Sequence, residues 1–182
     1  MTINVLINPE IPAEDKDKVD AIFKSVEEHM GFVPDGLRLY GISPPLLESF
    51  VASVGYFMAH PILSQELLTM IRYLVSSDAG CSFCIDLNAA RLINLGKTHD
   101  QLIAAKKNVE DAPLTDAEKI LLKIALAAIN NPEAVSRENL QKAQEQGYTD
   151  RNIFDAVAVA TSNMAFTHML KTFKVEHQGA LA

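Results

Sequence analysis

The sequence predicts an all-α fold, a bundle of about eight helices. Three observations carry that expectation. Apolar residues recur at spacings of three and four along most of the chain, and no segment sustains the period-two alternation of a half-buried strand. Helix-start signals recur, including capping boxes at Thr98-His99-Asp100-Gln101 and Thr115-Asp116-Ala117-Glu118. The composition is 48% hydrophobic, rich in Ala and Leu and without Trp, which favours helix. The 182 residues suffice to bury a core without disulfide or metal staples, and read as one domain over 1–182.

Residues 1–13 are expected to form an extended arm, because Pro9 and Pro12 interrupt Ile3, Val5, Ile7 and Ile11. The first helix is expected from about Glu14 to His29, with Val19, Ile22, Phe23 and Val26 on one face and Gly31 ending it. Pro34-Asp35-Gly36 reads as a turn. Ser43-Pro44 reads as an N-cap and first-turn proline, opening a helix that stops before His60-Pro61. Ser64 should cap the next helix, Gln65 to about Ser77. That helix carries a second, polar stripe, Glu66, Thr69, Tyr73 and Ser76, at 3–4–3 spacing. After Asp78-Ala79-Gly80 a helix follows from about Cys81 to Leu95, ended by Gly96. The two capping boxes open helices to Lys106 and Ile129, and Asn131-Pro132 starts a further unit ending near Gly147. The last helix is expected over Asp150–Phe173, with Phe154, Val157, Ala158, Thr161, Met164, Ala165, Met169 and Leu170 on a wide apolar face.

The formal net charge of −7 and the lack of a basic tract argue against a nucleic-acid or anionic-membrane surface. The N-terminus lacks a signal-peptide pattern, and no apolar run approaches the length of a membrane span, so the expected compartment is the cytoplasm.

The chemistry concentrates in Gly80-Cys81-Ser82-Phe83-Cys84-Ile85-Asp86-Leu87-Asn88, which holds the only two cysteines. In a reducing compartment a Cys-x-x-Cys points to catalysis or metal binding rather than to a structural bridge. At a helix start the unpaired N–H groups and the macrodipole are expected to lower a thiol's pKa. One thiolate can attack an oxidant and the other can close a disulfide. Two plainer readings stay open: a pair of buried core thiols, and a metal site completed by His60, His99 or His168, although no second Cys pair exists. The redox reading leads, with no metal and no cofactor expected. The polar stripe is either a solvated face or a proton relay beside the thiols. His168 reads as a core or interface residue, and Phe83 as packing that shields the pair.

The run Leu67–Asn88, with Val75-Ser76, Gly80 and Cys81-x-x-Cys84, resembles the carboxymuconolactone decarboxylase / alkyl hydroperoxidase D superfamily. Ala112-Pro113-Leu114-Thr115-Asp116-Ala117-Glu118 and Tyr148-Thr149-Asp150-Arg151-Asn152-Ile153-Phe154-Asp155-Ala156-Val157 resemble segments of its peroxidase-related branch. The resemblance covers most of the chain from about residue 40 onward. It implies a bundle around a helical hairpin that carries the Cys pair at a helix N-terminus. It also implies assembly into a homo-oligomer, dimer, trimer or hexamer. The activity implied is thiol-dependent reduction of hydroperoxides, with the disulfide re-reduced by a protein or small dithiol. By the same resemblance Cys84 attacks and Cys81 resolves. The family's relay histidine falls at Asn88 here, its relay glutamate at Thr69, and the histidine sometimes found inside the motif at Phe83. Glu66 lies one turn before Thr69 as the available carboxylate. General-base help is worth about 10²–10⁴-fold, so disulfide chemistry can outlast the loss of fast peroxidase turnover. The decarboxylase branch generally lacks paired cysteines, which argues against lactone decarboxylation.

The leading expectation is therefore a peroxidase-like thiol oxidoreductase with Cys84, Cys81, Glu66, Thr69 and Asn88 at its site. The alternatives are a redox-responsive binding or regulatory oligomer with little turnover, and non-redox catalysis on a small carbonyl or lactone.

Overall fold

A computed structural model describes residues 6–7 and 9–175. Nine α-helices form among the described residues, with three short 3-10 turns and no strand, so the fold is all-α. They are α1 (Lys16–Met30), α2 (Asp35–Tyr40), α3 (Pro44–Met58), α4 (Gln65–Ala79), α5 (Ser82–Asn94), α6 (His99–Lys107), α7 (Asp116–Asn130), α8 (Arg137–Glu145) and α9 (Asp150–Phe173). The chain divides into two compact units. One holds α1–α3 and the last turn of α9 from Met169; the other, His60–His168, holds α4–α8 and the rest of α9.

In the first unit Val19 and Phe23 of α1 pack with Val33, Leu37 of α2 and Leu47 of α3, flanked by Ile11, Ile22, Val26, Tyr40, Phe50 and Val51. Residues 1–5 and 8 of the expected arm lie outside the described residues. Of the rest, Leu6 is exposed while Ile11 packs on this core. The turn expected at Pro34-Asp35-Gly36 is instead the start of α2. The Pro34 carbonyl accepts from both Leu37 and Arg38 N–H, and burying Leu37 and Leu39 favours continuing the coil. α2 is why the helix count is nine rather than about eight.

The second unit is organised by its helix ends. Ser64 caps α4, accepting from Leu67 N–H at 3.0 Å, and Thr98, Thr115 and Ser136 each close a capping box. Gly80 ends α4 at φ +67°, a left-handed position that suits glycine, so the chain reverses within two residues and α5 begins after Cys81. Ser76 reaches Cys84 at one end, and Arg91 donates to Gln65 at 3.4 Å toward the other. Those two contacts set α5 running back along α4.

α9 follows the expected span, Asp150–Phe173, but turns a different side inward. Ile153, Ala156, Val159, Ala160, Thr167 and Leu170 are buried, whereas Phe154 is 71% exposed and Thr161, Ala165 and Met169 are exposed. Only Leu170 of the expected face is buried. No helix of the described residues is long and apolar enough to cross a membrane.

Candidate active site

Cys81 occupies the N-cap of α5 and Cys84 its third helical position, so one turn of helix sets the two side chains together. Their sulfurs lie 2.8 Å apart, both are free thiols, and both are buried. Phe83 is buried with them, as the sequence suggested.

The polar stripe of α4 turns inward rather than into solvent. Thr69, Tyr73 and Ser76 are buried and Glu66 is half-buried. Ser76 does two things here. Its carbonyl accepts from Cys81 N–H at 3.1 Å, and its hydroxyl hydrogen-bonds the Cys84 thiol. Burial raises the pKa of the Tyr73 phenol.

Thr69 is fully buried, and its hydroxyl finds no hydrogen-bond partner among the described residues. A buried hydroxyl without a partner costs stability. Asn88 shares the Cys84 face of α5, but its carboxamide donates to the Cys84 carbonyl at 2.7 Å. That donor braces the first turn of the helix.

α9 supplies two residues that the sequence reading did not single out. The Thr167 hydroxyl, fully buried, points at the Cys84 sulfur from 3.9 Å, the outer reach of an O–H···S contact. Asn163, one turn earlier, donates to the Ser76 hydroxyl at 2.9 Å and to the Arg72 carbonyl at 3.3 Å. Asn163 and Thr167 lie four apart on one side of α9, but other polar residues of the same helix, such as Thr161, Ser162 and His168, gave no local signal to separate them.

The electrostatics of Cys84 oppose the simple helix-start expectation. The adjoining Cys81 thiol pushes its pKa well up, burial adds to that, and the Thr167 and Ser76 hydroxyls pull in the other direction. Two sulfurs this close share a single charge, and the macrodipole does not outweigh a neighbour at contact distance.

The histidines lie elsewhere in the chemistry. His60 is buried against Asp155, with Nε2 3.2 Å from its carboxylate. Its Nδ1 accepts from Ile62 and Leu63 N–H at 3.2 and 2.8 Å, which assigns the proton to Nε2. Both nitrogens are engaged, so His60 ties the approach to α4 onto α9 within the second unit. His168 is exposed on α9. No three His, Cys, Asp or Glu side chains gather as metal ligands among the described residues.

No protein-family model matches the chain, and no curated protein does. Solved structures do match. A peroxidase-related protein from Silicibacter sp. TM1040 superposes with a TM-score of 0.83 at 20% identity, over 97% of this chain and 93% of that one. A peroxidase-related protein from Ralstonia eutropha JMP134, described as an alkylhydroperoxidase AhpD core, gives 0.80 at 18% identity, over 97% and 93%. The debrominase Bmp8, as a cysteine-to-alanine form in complex with 2,3,4-tribromopyrrole, gives 0.68 at 19% identity, over 100% and 93%. With its Cys81–Cys84 pair at the start of α5, the chain therefore has the fold of the AhpD-like, peroxidase-related proteins.

Proposed function

We propose that the protein is a thiol-dependent peroxidase-like oxidoreductase that reduces hydroperoxides through a reversible Cys81–Cys84 disulfide. The observation that carries this reading is the 2.8 Å approach of two free thiols at a helix start, within an AhpD-like fold. In the proposed cycle the Cys84 thiolate attacks the O–O bond. The hydroperoxide is reduced to an alcohol, its departing oxygen takes a proton, and Cys84 becomes a sulfenic acid. Cys81 then attacks that sulfur, water leaves, and the disulfide forms. A protein or small dithiol, oxidised in turn, restores both thiols.

Thr69 takes the place of the relay glutamate by donating its unpartnered hydroxyl to the departing oxygen, and half-buried Glu66 one turn away supplies the proton. Asn88 holds the helix turn under Cys84. A cytoplasmic setting supplies the dithiol, and the protein works as a homo-oligomer.

Intact-mass measurement after one equivalent of an organic hydroperoxide tests the reading. The wild type should lose two hydrogens. Cys81→Ser should gain one oxygen, and Cys84→Ser should do neither and lose all turnover. Unchanged turnover in Cys84→Ser overturns it.

A second reading uses the same dithiol to reduce a halogenated ring: two thiols supply two electrons, a C–H replaces the C–Br, and HBr leaves. The fold shared with the debrominase Bmp8, together with the close thiol pair, favours this reading. Bromide release from a brominated pyrrole, with no consumption of hydroperoxide, would select it.

A further inference from the structure

We infer that Thr167 is a catalytic residue of the resolving step: its hydroxyl holds the oxygen that Cys84 takes from the hydroperoxide and stabilises that oxygen as it leaves. The inference rests on the peroxidase reading, with Cys84 as the thiol that becomes a sulfenic acid. It adds the group that serves the second half of the cycle.

The Thr167 hydroxyl is fully buried within the second unit and stands 3.9 Å from the Cys84 sulfur. That separation is long for a bond to sulfur, which is in any case a weak acceptor. It suits an oxygen carried on the sulfur. One S–O bond and one O–H···O bond, meeting at an angle, span about 4 Å, since the O–H···O bond alone takes about 2.7 Å. The sulfenic acid therefore fits the gap beside the thiol, and oxidation gives Thr167 a better acceptor than the sulfur was.

The other polar groups around Cys84 have different tasks. Ser76 hydrogen-bonds the sulfur directly and accepts from Asn163 Nδ2 at 2.9 Å. The Asn88 carboxamide donates to the Cys84 carbonyl at 2.7 Å. Cys81 reaches Cys84 from the N-cap of the same helix, over 2.8 Å, whereas Thr167 arrives from α9. Nucleophile and leaving oxygen are thus served by separate helices.

The step balances within the site. The Cys81 sulfur attacks the Cys84 sulfur, the S–S bond forms and the S–O bond breaks. The departing hydroxyl takes the proton of the Cys81 thiol and leaves as water. Thr167 donates to that oxygen while its negative charge grows, which strengthens the hydrogen bond, and keeps its own proton. The same bond draws electron density from the sulfenic acid. That slows its reaction with a second hydroperoxide, which would give a sulfinic acid.

The test follows how oxidised Cys84 divides between those two fates. Full-length reduced protein is titrated with rising cumene hydroperoxide, and intact mass gives the shares of disulfide and sulfinic acid. Half-conversion to the sulfinic acid should need about tenfold less hydroperoxide in Thr167→Val, the scale of one lost hydrogen bond. Thr167→Ser, which keeps the hydroxyl, should behave as the wild type. The measurement is a ratio of two fates of one intermediate, so a slower first oxidation does not move it. Thr167→Ala takes the place of Thr167→Val where the latter fails to fold. An unmoved ratio in the variant without the hydroxyl overturns the inference. A shift that Thr167→Ser shares also overturns it, because packing rather than the hydroxyl would then be responsible. A wild type that forms neither product sinks the peroxidase reading and the inference with it. A wild type that forms the disulfide, beside a ratio insensitive to Thr167, overturns the inference alone.

Discussion

Two thiols 2.8 Å apart in a buried site cannot both carry charge, and the fold keeps a proton on Cys84 where an unfolded chain releases it. The consequence for stability has a definite sign. The pKa of Cys84 is raised in the folded state, chiefly by Cys81 and then by burial, from an ordinary value near 9.0. Its contribution is complete below that value. Above it the unfolded state binds fewer protons than the folded state, so stability falls as pH rises. Between about pH 8 and pH 10 the melting temperature of the reduced wild type should therefore drop more steeply than that of Cys84→Ser. Parallel slopes in the two proteins would count against the buried shared-proton arrangement. At this scale the sequence showed the cysteines plainly, because their spacing and position at a helix start are local facts. It could not show Thr167 or Asn163, more than seventy residues away, since nothing in a one-dimensional pattern says which turn of α9 meets α5.

Helix starts were the most legible elements. Thr98, Thr115 and Ser64 cap where side-chain chemistry said they would, and the α9 limits follow from Thr149-Asp150 and the apolar run. α2 was missed because a Pro-Asp-Gly sequence satisfies turn geometry equally well, and only burial of Leu37 and Leu39 decides for a helix. The capping box of α7 also does more than its local pattern indicates. Glu118 closes the box with Thr115 N–H at 3.0 Å, and its other oxygen accepts from the Ser64 hydroxyl that caps α4. One carboxylate thus ties two helix starts. Burial opposes its charge, but the bonds from Ser64 and Thr115, with Lys97 nearby, prevail and hold its pKa below the ordinary 4.5. With a depressed folded pKa, this stability is present above 4.5 and is lost as pH falls through the folded value. Glu118→Gln should cost roughly 1 kcal/mol in denaturant unfolding near pH 7, the scale of a helix cap. The deficit should shrink as pH falls below 4.5 and through the depressed folded pKa, where the wild-type carboxylate takes up its proton as well. A deficit independent of pH would mean that shape, not charge, holds the two starts.

At the scale of the whole molecule, α9 explains why apolar content alone could not orient the helix. Apolar residues occur on nearly every side of it, so the pattern offers two candidate faces, and packing selects the one that carries Ile153, Ala156, Val159, Ala160 and Leu170. The other side, led by Phe154 at 71% exposure and continued by Val157, Ala158, Thr161 and Ala165, is left partly or fully open. A single exposed apolar residue is ordinary, but a helix-long stripe of them in one protein is a candidate contact surface. The homo-oligomer proposed above gives that stripe its cover. A self-complementary interface would repeat Phe154 across a two-fold axis, so one substitution acts twice per contact. Light scattering at micromolar concentration should give a mass above that of one chain for the wild type. Phe154→Glu should bring it down to one chain, because two carboxylates would then face each other in a desolvated contact. Since Phe154 lies outside the core, the variant should keep its helical signal and its thiol chemistry, which separates loss of assembly from loss of fold. A wild type that scatters as one chain would leave the stripe uncovered by copies of itself and would refute the oligomer. A Phe154→Glu protein with unchanged oligomeric mass would move the contact to another face.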